Sequence, residues 1–315
     1  MKQAKTLQPL STAAKIKKYK SLIPFVIPAM VFALIFSYLP MAGILIAFKD
    51  NPNFGRYSVF EAFNRAHWTL DNFKMIFSDP DIIKYIGNTL LISVMKIVIL
   101  FPLPIILAIM ITEVRNRFYS KIVQGLVFLP HFLSWVVITG IFNHLLDIYG
   151  PINHLAQALG MEVTYYMGEP GLFKWLVVIL SGWKEIGYSS IVYISAIMAI
   201  DTQQYEAAQI DGANKFQQIW HVTLPGILPT IMVMLIIRIG YLMDAGFEQV
   251  YTMLNSYTRE EGEIIGTYVY RLGLGTGSRN YGLSTAVGLF NGVISLLLIV
   301  SANRISKKKL GTGIW

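Results

Sequence analysis

The chain has 315 residues, of which 54% are hydrophobic and only 14% charged, where a soluble globular domain is about a quarter charged. It holds no cysteine, which excludes disulfides, thiolate metal sites and a cysteine nucleophile. A formal net charge of +8 invites a nucleic-acid reading, but the basic residues are distributed as a bilayer distributes them.

Residues 1–20 read as a basic cytoplasmic tail, with Lys15, Lys17, Lys18 and Lys20 just ahead of the first apolar run. Apolar runs of about 18 residues or more predict membrane-spanning helices. Six occur: Ile23–Phe48, Ile86–Thr112, Ile122–Leu146, Gly171–Ile200, Leu224–Met243 and Gly282–Asn303. The first is too long for a signal-peptide core and lacks a small-residue cleavage site, so it reads as a retained anchor, peripheral to a five-helix core. β-Barrel strands would be shorter and would alternate, so the predicted class is all-α and polytopic. A single membrane domain spans residues 21–310, followed by a short tail at 311–315.

Between the spans, the loop Lys49–Tyr85 carries turn signals at Asp50–Asn53 and Ser78–Pro80. Asp147–Pro170 opens on Tyr149-Gly150-Pro151 and predicts a short interfacial helix around Ile152–Leu159. Ala245–Tyr281 mixes acids, glycines and tyrosines, and its Glu260, Glu261 and Glu263 read as an exposed acidic loop. With both termini cytoplasmic, fourteen Lys/Arg lie in the short inner segments and eight in the much longer outer loops. That is the positive-inside bias.

Prolines 24, 28, 102, 104, 130 and 229 interrupt the spans. Each alone reads as a kink; together they point to a moving bundle that lines a cavity. Lys96, Lys184, Glu185 and Arg238 also fall within spans, at about 2.5–3.5 kcal/mol each near a helix centre. Lys184 and Glu185 point about 100° apart and cannot face each other, so each needs another partner. Two readings stay open: structural pairing between helices, or a polar translocation path that also uses Asn143, Ser181, Tyr188, Ser189 and Asn291. Trp183, Tyr188 and Tyr193 are aromatic candidates for stacking on whatever passes along such a path.

Several catalytic patterns fail on context. Residues 273–278 resemble a phosphate-binding loop but lack the following Lys-Thr/Ser and a preceding strand, so they read as a turn. The five histidines have no metal-ligand spacing, no Gly-x-Ser-x-Gly elbow occurs, and neither a catalytic nor a metal site is assigned.

The segment 201–225 stands apart. Asp201 followed by Gln204 reads as a capping box. Ala207, Ile210, Ala213, Phe216 and Ile219/Trp220 recur at helical spacing, and Gly212 marks a turn or a close contact. Val222–Pro225 is predicted to stop this helix before the chain re-enters the membrane. Its polar face carries a single Lys215, unlike a lipid-bound helix. An acid at Glu206 with small alanines fits a protein groove better.

Glu206-Ala207-Ala208, then Gly212, then Val222-x-Leu224-Pro225, strengthened by Asp211-Gly212-Ala213, resembles the EAA loop of permease subunits of bacterial binding-protein-dependent ABC importers. The one departure is Val222, where isoleucine is usual. Tyr38–Gly43, Ala47–Asp50, Asn88–Leu90, Tyr270–Leu274 and Gly313-Ile314-Trp315 look like the oligosaccharide branch related to the maltose permeases, so the resemblance covers most of residues 22–315. It implies the type I importer permease fold with six transmembrane helices, in a bacterial cytoplasmic membrane. Glu206, Ala207, Ala208, Asp211, Gly212, Phe216, Leu224 and Pro225 would form the coupling helix that docks into an ATPase. The implied partners are a second homologous permease subunit forming a heterodimer, two cytoplasmic ABC ATPase subunits, an extracellular or periplasmic solute-binding protein, and an oligosaccharide substrate. This chain has no Gly-x-x-x-x-Gly-Lys-Ser/Thr loop, so it would need no cofactor of its own and would be no enzyme, with ATP and Mg held by the partner. Rival readings are the same importer class carrying peptides or amino acids, an ATPase-independent channel or carrier, and a membrane enzyme.

Overall fold

The structure is a computed structural model and describes residues 23–275 and 279–315. The basic tail 1–20 and residues 276–278 of the glycine-rich turn lie outside the described residues. Within them no strand forms, and Lys49 and Trp68 make one isolated antiparallel bridge. Four helices are long and apolar enough to cross a membrane: Pro24–Phe48, Pro80–Glu113, Lys215–Gly240 and Tyr281–Leu310. We number them the first, second, fifth and sixth spans.

The third predicted span is not one helix. Phe118–Phe132 and Trp135–Leu145 meet at an angle of 99°. Pro130 cannot donate a backbone hydrogen bond, Leu133 is extended, and the Ser134 side chain caps the next helix at Val137 N–H. The fourth, Pro170–Met198, is a continuous helix of 29 residues, or about 43 Å. Ser181, Lys184, Glu185, Ser189 and Ser190 dilute its middle, which leaves it less apolar than its neighbours.

The prolines shape the spans in a regular way. Three π turns, Leu34–Tyr38, Lys96–Leu100 and Ile219–Thr223, interrupt the first, second and fifth spans. Pro40, Pro102 and Pro225 each follow two residues later. A proline in an α-helix clashes with the carbonyl four residues before it and cannot bond to it; in each case that carbonyl sits inside the widened turn. The predicted helix stop at Val222–Pro225 is therefore corrected: the helix widens there and runs on from Lys215 to Gly240.

Burial is divided among three clusters. One gathers Ile92, Trp135, Ile138, Phe173, Val177 and Val250. A second joins Ala47, Ile76, Ile82, Tyr268, Leu283 and Val287. The third, around Ala108, Ile111, Tyr193, Ile197 and Ile227, lies nearest the 201–225 segment. Leu39–Phe48 of the first span packs on the sixth, while Phe25, Phe32 and Phe36 are exposed; this apolar surface suits a lipid solvent.

Ion pairs fasten the segment 245–281 to the helices. Lys84 bonds Glu260 at 3.1 Å and lies 3.3 Å from Glu261, which also reaches Lys174 at 3.7 Å. The Lys84 ammonium, through its hydrogen bond and charge, holds the Glu261 carboxyl below its usual range. Glu263 departs from the expected exposed acidic loop. It is 1% exposed and takes a two-point grip from Arg271, at 2.9 and 2.8 Å. Its backbone carbonyl accepts from Asn88, and Ile265 N–H donates to Thr89, so this stretch is folded against the second span.

Candidate functional site

A cavity of about 280 Å³ opens between the second, fourth and fifth spans, near the lower end of the roughly 300–1,000 Å³ of ligand pockets. Its polar lining follows helical spacing. Ser181, Glu185 and Ser189 are four residues apart on the fourth span; Ser93 and Lys96 are three apart on the second; Arg238 and Tyr241 are three apart at the end of the fifth. Tyr193, Asp244, Ala245 and Gly246 also contribute.

Two interactions organise this wall. Arg238 donates to Glu185 at 3.0 Å, joining the fourth and fifth spans. Lys96 donates to the Ala245 carbonyl at 2.9 Å and to Gln249 Oε1 at 2.8 Å. Gln249 is fully buried; its Oε1 also accepts from Ser181 at 2.6 Å, and its Nε2 donates to the Val177 carbonyl at 2.7 Å. Gln249 therefore ties the start of the segment Ala245–Tyr281 to the second and fourth spans. The sequence carries no local signal for this, because the loop's return into the bundle is purely tertiary.

The other polar residues singled out from the sequence lie elsewhere. Lys184 sits at the break in the third span, where its ammonium donates to the His131 carbonyl at 2.8 Å and to the Leu133 carbonyl. It also lies 5.5 Å from the Trp135 ring. These carbonyls are the ones a broken helix leaves without amide partners, and a cation is the complement of a helix C-terminus. Tyr188 stacks on His131 at 3.8 Å, one helical turn from Lys184. Asn143 is exposed on Trp135–Leu145, and Trp183 packs edge-on against Phe142. Asn291 donates to the Met243 carbonyl at 3.2 Å. Lys184 and Glu185 thus take different partners, as their 100° separation requires.

The segment 201–225 forms two short helices, Thr202–Ile210 and Lys215–Gln218, the second running into the fifth span. Asp201 caps the first by accepting from Gln203 N–H; the reciprocal bond expected from Gln204 is absent. The box forms instead between Asn214 and Gln217. Gly212 has φ +79°, and a β-carbon there would meet nothing within 4 Å. Within this chain Gly212 therefore serves a left-handed helix end and not a close contact. The segment is tied down by Lys215–Glu113 at 3.0 Å, Tyr205–Thr223 at 3.0 Å and Gln218 to the Ala213 carbonyl at 3.0 Å. Ala208 and Leu224 are half-buried, while Glu206, Ala207, Asp211 and Pro225 are exposed. Ile210 and Phe216 present 87% and 68% of their surface. Among the described residues no cluster of His, Asp or Glu suited to a metal ion occurs.

Residues 101–309 match the family described as binding-protein-dependent transport system inner membrane component. The chain is similar to the protein LplB of Bacillus subtilis (strain 168), with 41% identity over 95% of this chain and 92% of that one. It is also similar to the polygalacturonan/rhamnogalacturonan transport system permease protein YteP of the same organism, at 40% over 96% and 92%. Among solved structures, a chain of a bacterial ABC transporter involved in import of the acidic polysaccharide alginate superposes with a TM-score of 0.85 and 36% identity, covering 94% of this chain and 98% of that one. A chain of the bacterial alginate ABC transporter in complex with an alginate pentasaccharide-bound periplasmic protein gives the same score at 38% identity, covering 95% and 98%. The fold is that of the type I importer permease, and the chain belongs to the family of binding-protein-dependent transport system inner membrane components, the permease subunits of ABC importers.

Proposed function

We propose that this chain is one half of the membrane path of an ATP-driven oligosaccharide importer. A solute-binding protein outside the membrane delivers the sugar, and a second, homologous permease subunit completes the path as a heterodimer. ATP and Mg bind on two cytoplasmic ABC ATPase subunits, which act on this chain through residues 201–225. Both termini lie in the cytoplasm. The names of the polysaccharide-transporting relatives support the substrate class, and the sugar would pass along the wall built by Lys96, Glu185 and Arg238.

The observation that carries this reading is the pair Ile210 and Phe216. Large apolar side chains held in water at 87% and 68% exposure gain by entering a protein groove. Their backbone is fixed to the ends of the second and fifth spans through Glu113 and Thr223. A push on this segment therefore reaches the spans that line the cavity. The test is co-purification of the ATPase, together with sugar-stimulated ATP turnover, for Ile210→Asp and Gly212→Glu. Both substitutions should detach the ATPase or uncouple hydrolysis from uptake. Normal retention with normal turnover in both refutes the docking assignment, because neither residue has a packing role inside this chain that could mask it.

A further inference from the structure

We infer that Lys96 and Ser93 form a carboxylate-binding subsite in the cavity wall, so that the transported oligosaccharide carries uronic acid units; this rests on the oligosaccharide-import reading above. An ammonium has three donors. Two of those on Lys96 are used on neutral acceptors, the Ala245 carbonyl and Gln249 Oε1, and Lys96 lines the cavity. Among the described residues no carboxylate pairs with it. The nearby Glu185 is taken by Arg238 at 3.0 Å, and Asp244 lies on the exposed rim, accepting from Phe247 N–H. A charge withdrawn from water without a counter-charge is costly, and among the described residues the third donor has no acceptor.

Ser93 supplies a second, independent sign. It is 4% exposed and lines the same cavity, and its hydroxyl has no hydrogen-bond partner. It stands three residues from Lys96 on the same helix face. Buried hydroxyls are nearly always bonded, so this one awaits a group that the chain does not provide. Gly246 keeps the space open: its φ is +88°, and a β-carbon there would lie 2.8 Å from the Lys96 amine. A cation with a spare donor, a hydroxyl donor one turn away and room between them complement a carboxylate. The hydroxyls of the same sugar can meet Ser189 and Tyr241, which line the same cavity.

The test uses the complete transporter, with partner permease, ATPase and binding protein, reconstituted in proteoliposomes. Uptake of tri-galacturonate is compared with uptake of galactotriose, its uncharged counterpart. Lys96→Met should lower tri-galacturonate uptake about tenfold or more, the value of a hydrogen bond to a charged group, and should lower it much more than any galactotriose uptake. Lys96→Arg should restore most of it. Ser93→Ala, which breaks no bond within the chain, should lower it by roughly threefold or more. Assembly of Lys96→Met with its partners is read by gel filtration. Undiminished tri-galacturonate uptake in Lys96→Met overturns the subsite, as does an equal loss for both sugars or a loss that Lys96→Arg shares. A wild-type transporter that takes galactotriose but not tri-galacturonate overturns the subsite and leaves oligosaccharide import standing. One that takes neither of these, nor any sugar of a panel of neutral and uronate-containing oligosaccharides, removes the import reading itself, and the subsite with it.

Discussion

Replacing Lys184 with methionine keeps the length of the side chain and removes its charge, so it isolates what the ammonium does at the break in the third span. Two interactions disappear, with the His131 and Leu133 carbonyls. A hydrogen bond to a charged group contributes about 1.5–3 kcal/mol in soluble proteins, whereas membrane proteins average about 0.6 kcal/mol per interhelical bond. Two bonds at a half-buried site thus set the loss at about 1–4 kcal/mol. The opposing term acts at a different stage: removing a lysine favours insertion by about 2.5–3.5 kcal/mol, so membrane integration should be undiminished while the folded bundle weakens. At about 2–4 °C per kcal/mol for a large domain, melting of the purified transporter in micelles should fall by roughly 2–16 °C. Lys121→Met, an exposed lysine on the same helix as the break, is the control and should melt within about 1 °C of wild type. If Lys184→Met melts with the control, the carbonyls at the break find other partners and Lys184 does not hold the bend.

The close approach of the third and fourth spans gives a second expectation. A β-carbon at Gly187 would lie 2.1 Å from the Val127 carbonyl oxygen, whereas one at Gly140 meets nothing within 4 Å; Gly187→Ala should lower the melting temperature and Gly140→Ala should not. Arg271→Met strands the buried Glu263 carboxylate and should cost about 2 kcal/mol, a figure discounted because Arg271 is itself half-exposed. Adding Glu263→Gln should recover part of the loss in thermal melting, and no recovery would show that the pair does not act together. A single cysteine at position 215 of this cysteine-free chain should resist an impermeant maleimide in intact cells and react in inverted vesicles; the opposite pattern reverses the assigned orientation.

Much of this architecture is legible in the sequence because bilayer physics works residue by residue. Apolar length gives the spans, and the cost of burying a charge picks out Lys96, Lys184, Glu185 and Arg238 before any contact is known. The glycine at 212 announces a left-handed turn. What escapes a linear reading are decisions made between segments. Pro130 signals an interruption, but the 99° bend depends on Lys184 arriving from another helix to satisfy the carbonyls left there. Glu263 resembles its acidic neighbours in sequence, and only Arg271, eight residues on, makes its burial tolerable. Gln249 looks like any loop glutamine until the chain folds back between the second and fourth spans. The four charged residues accordingly divide between two places, the cavity and the break, which hydropathy alone merges into one path.

The three π turns also bear on how this chain tolerates change in its gene. Each wide turn accommodates one residue more than an α-helix would hold in the same length. Loss of a single codon within 219–223 would remove that extra residue and close the turn, leaving Ile210 and Phe216 on nearly the same face relative to the fifth span. The same deletion within 96–100 would likewise keep the two parts of the second span in register. Pro102 and Pro225 oppose both outcomes, since a proline two residues past a closed turn would meet the carbonyl that the widening now sets aside. A frame-preserving deletion in either five-residue stretch should therefore cost a proline clash and no register, whereas one in the apolar helix on either side rotates everything beyond it by about 100°.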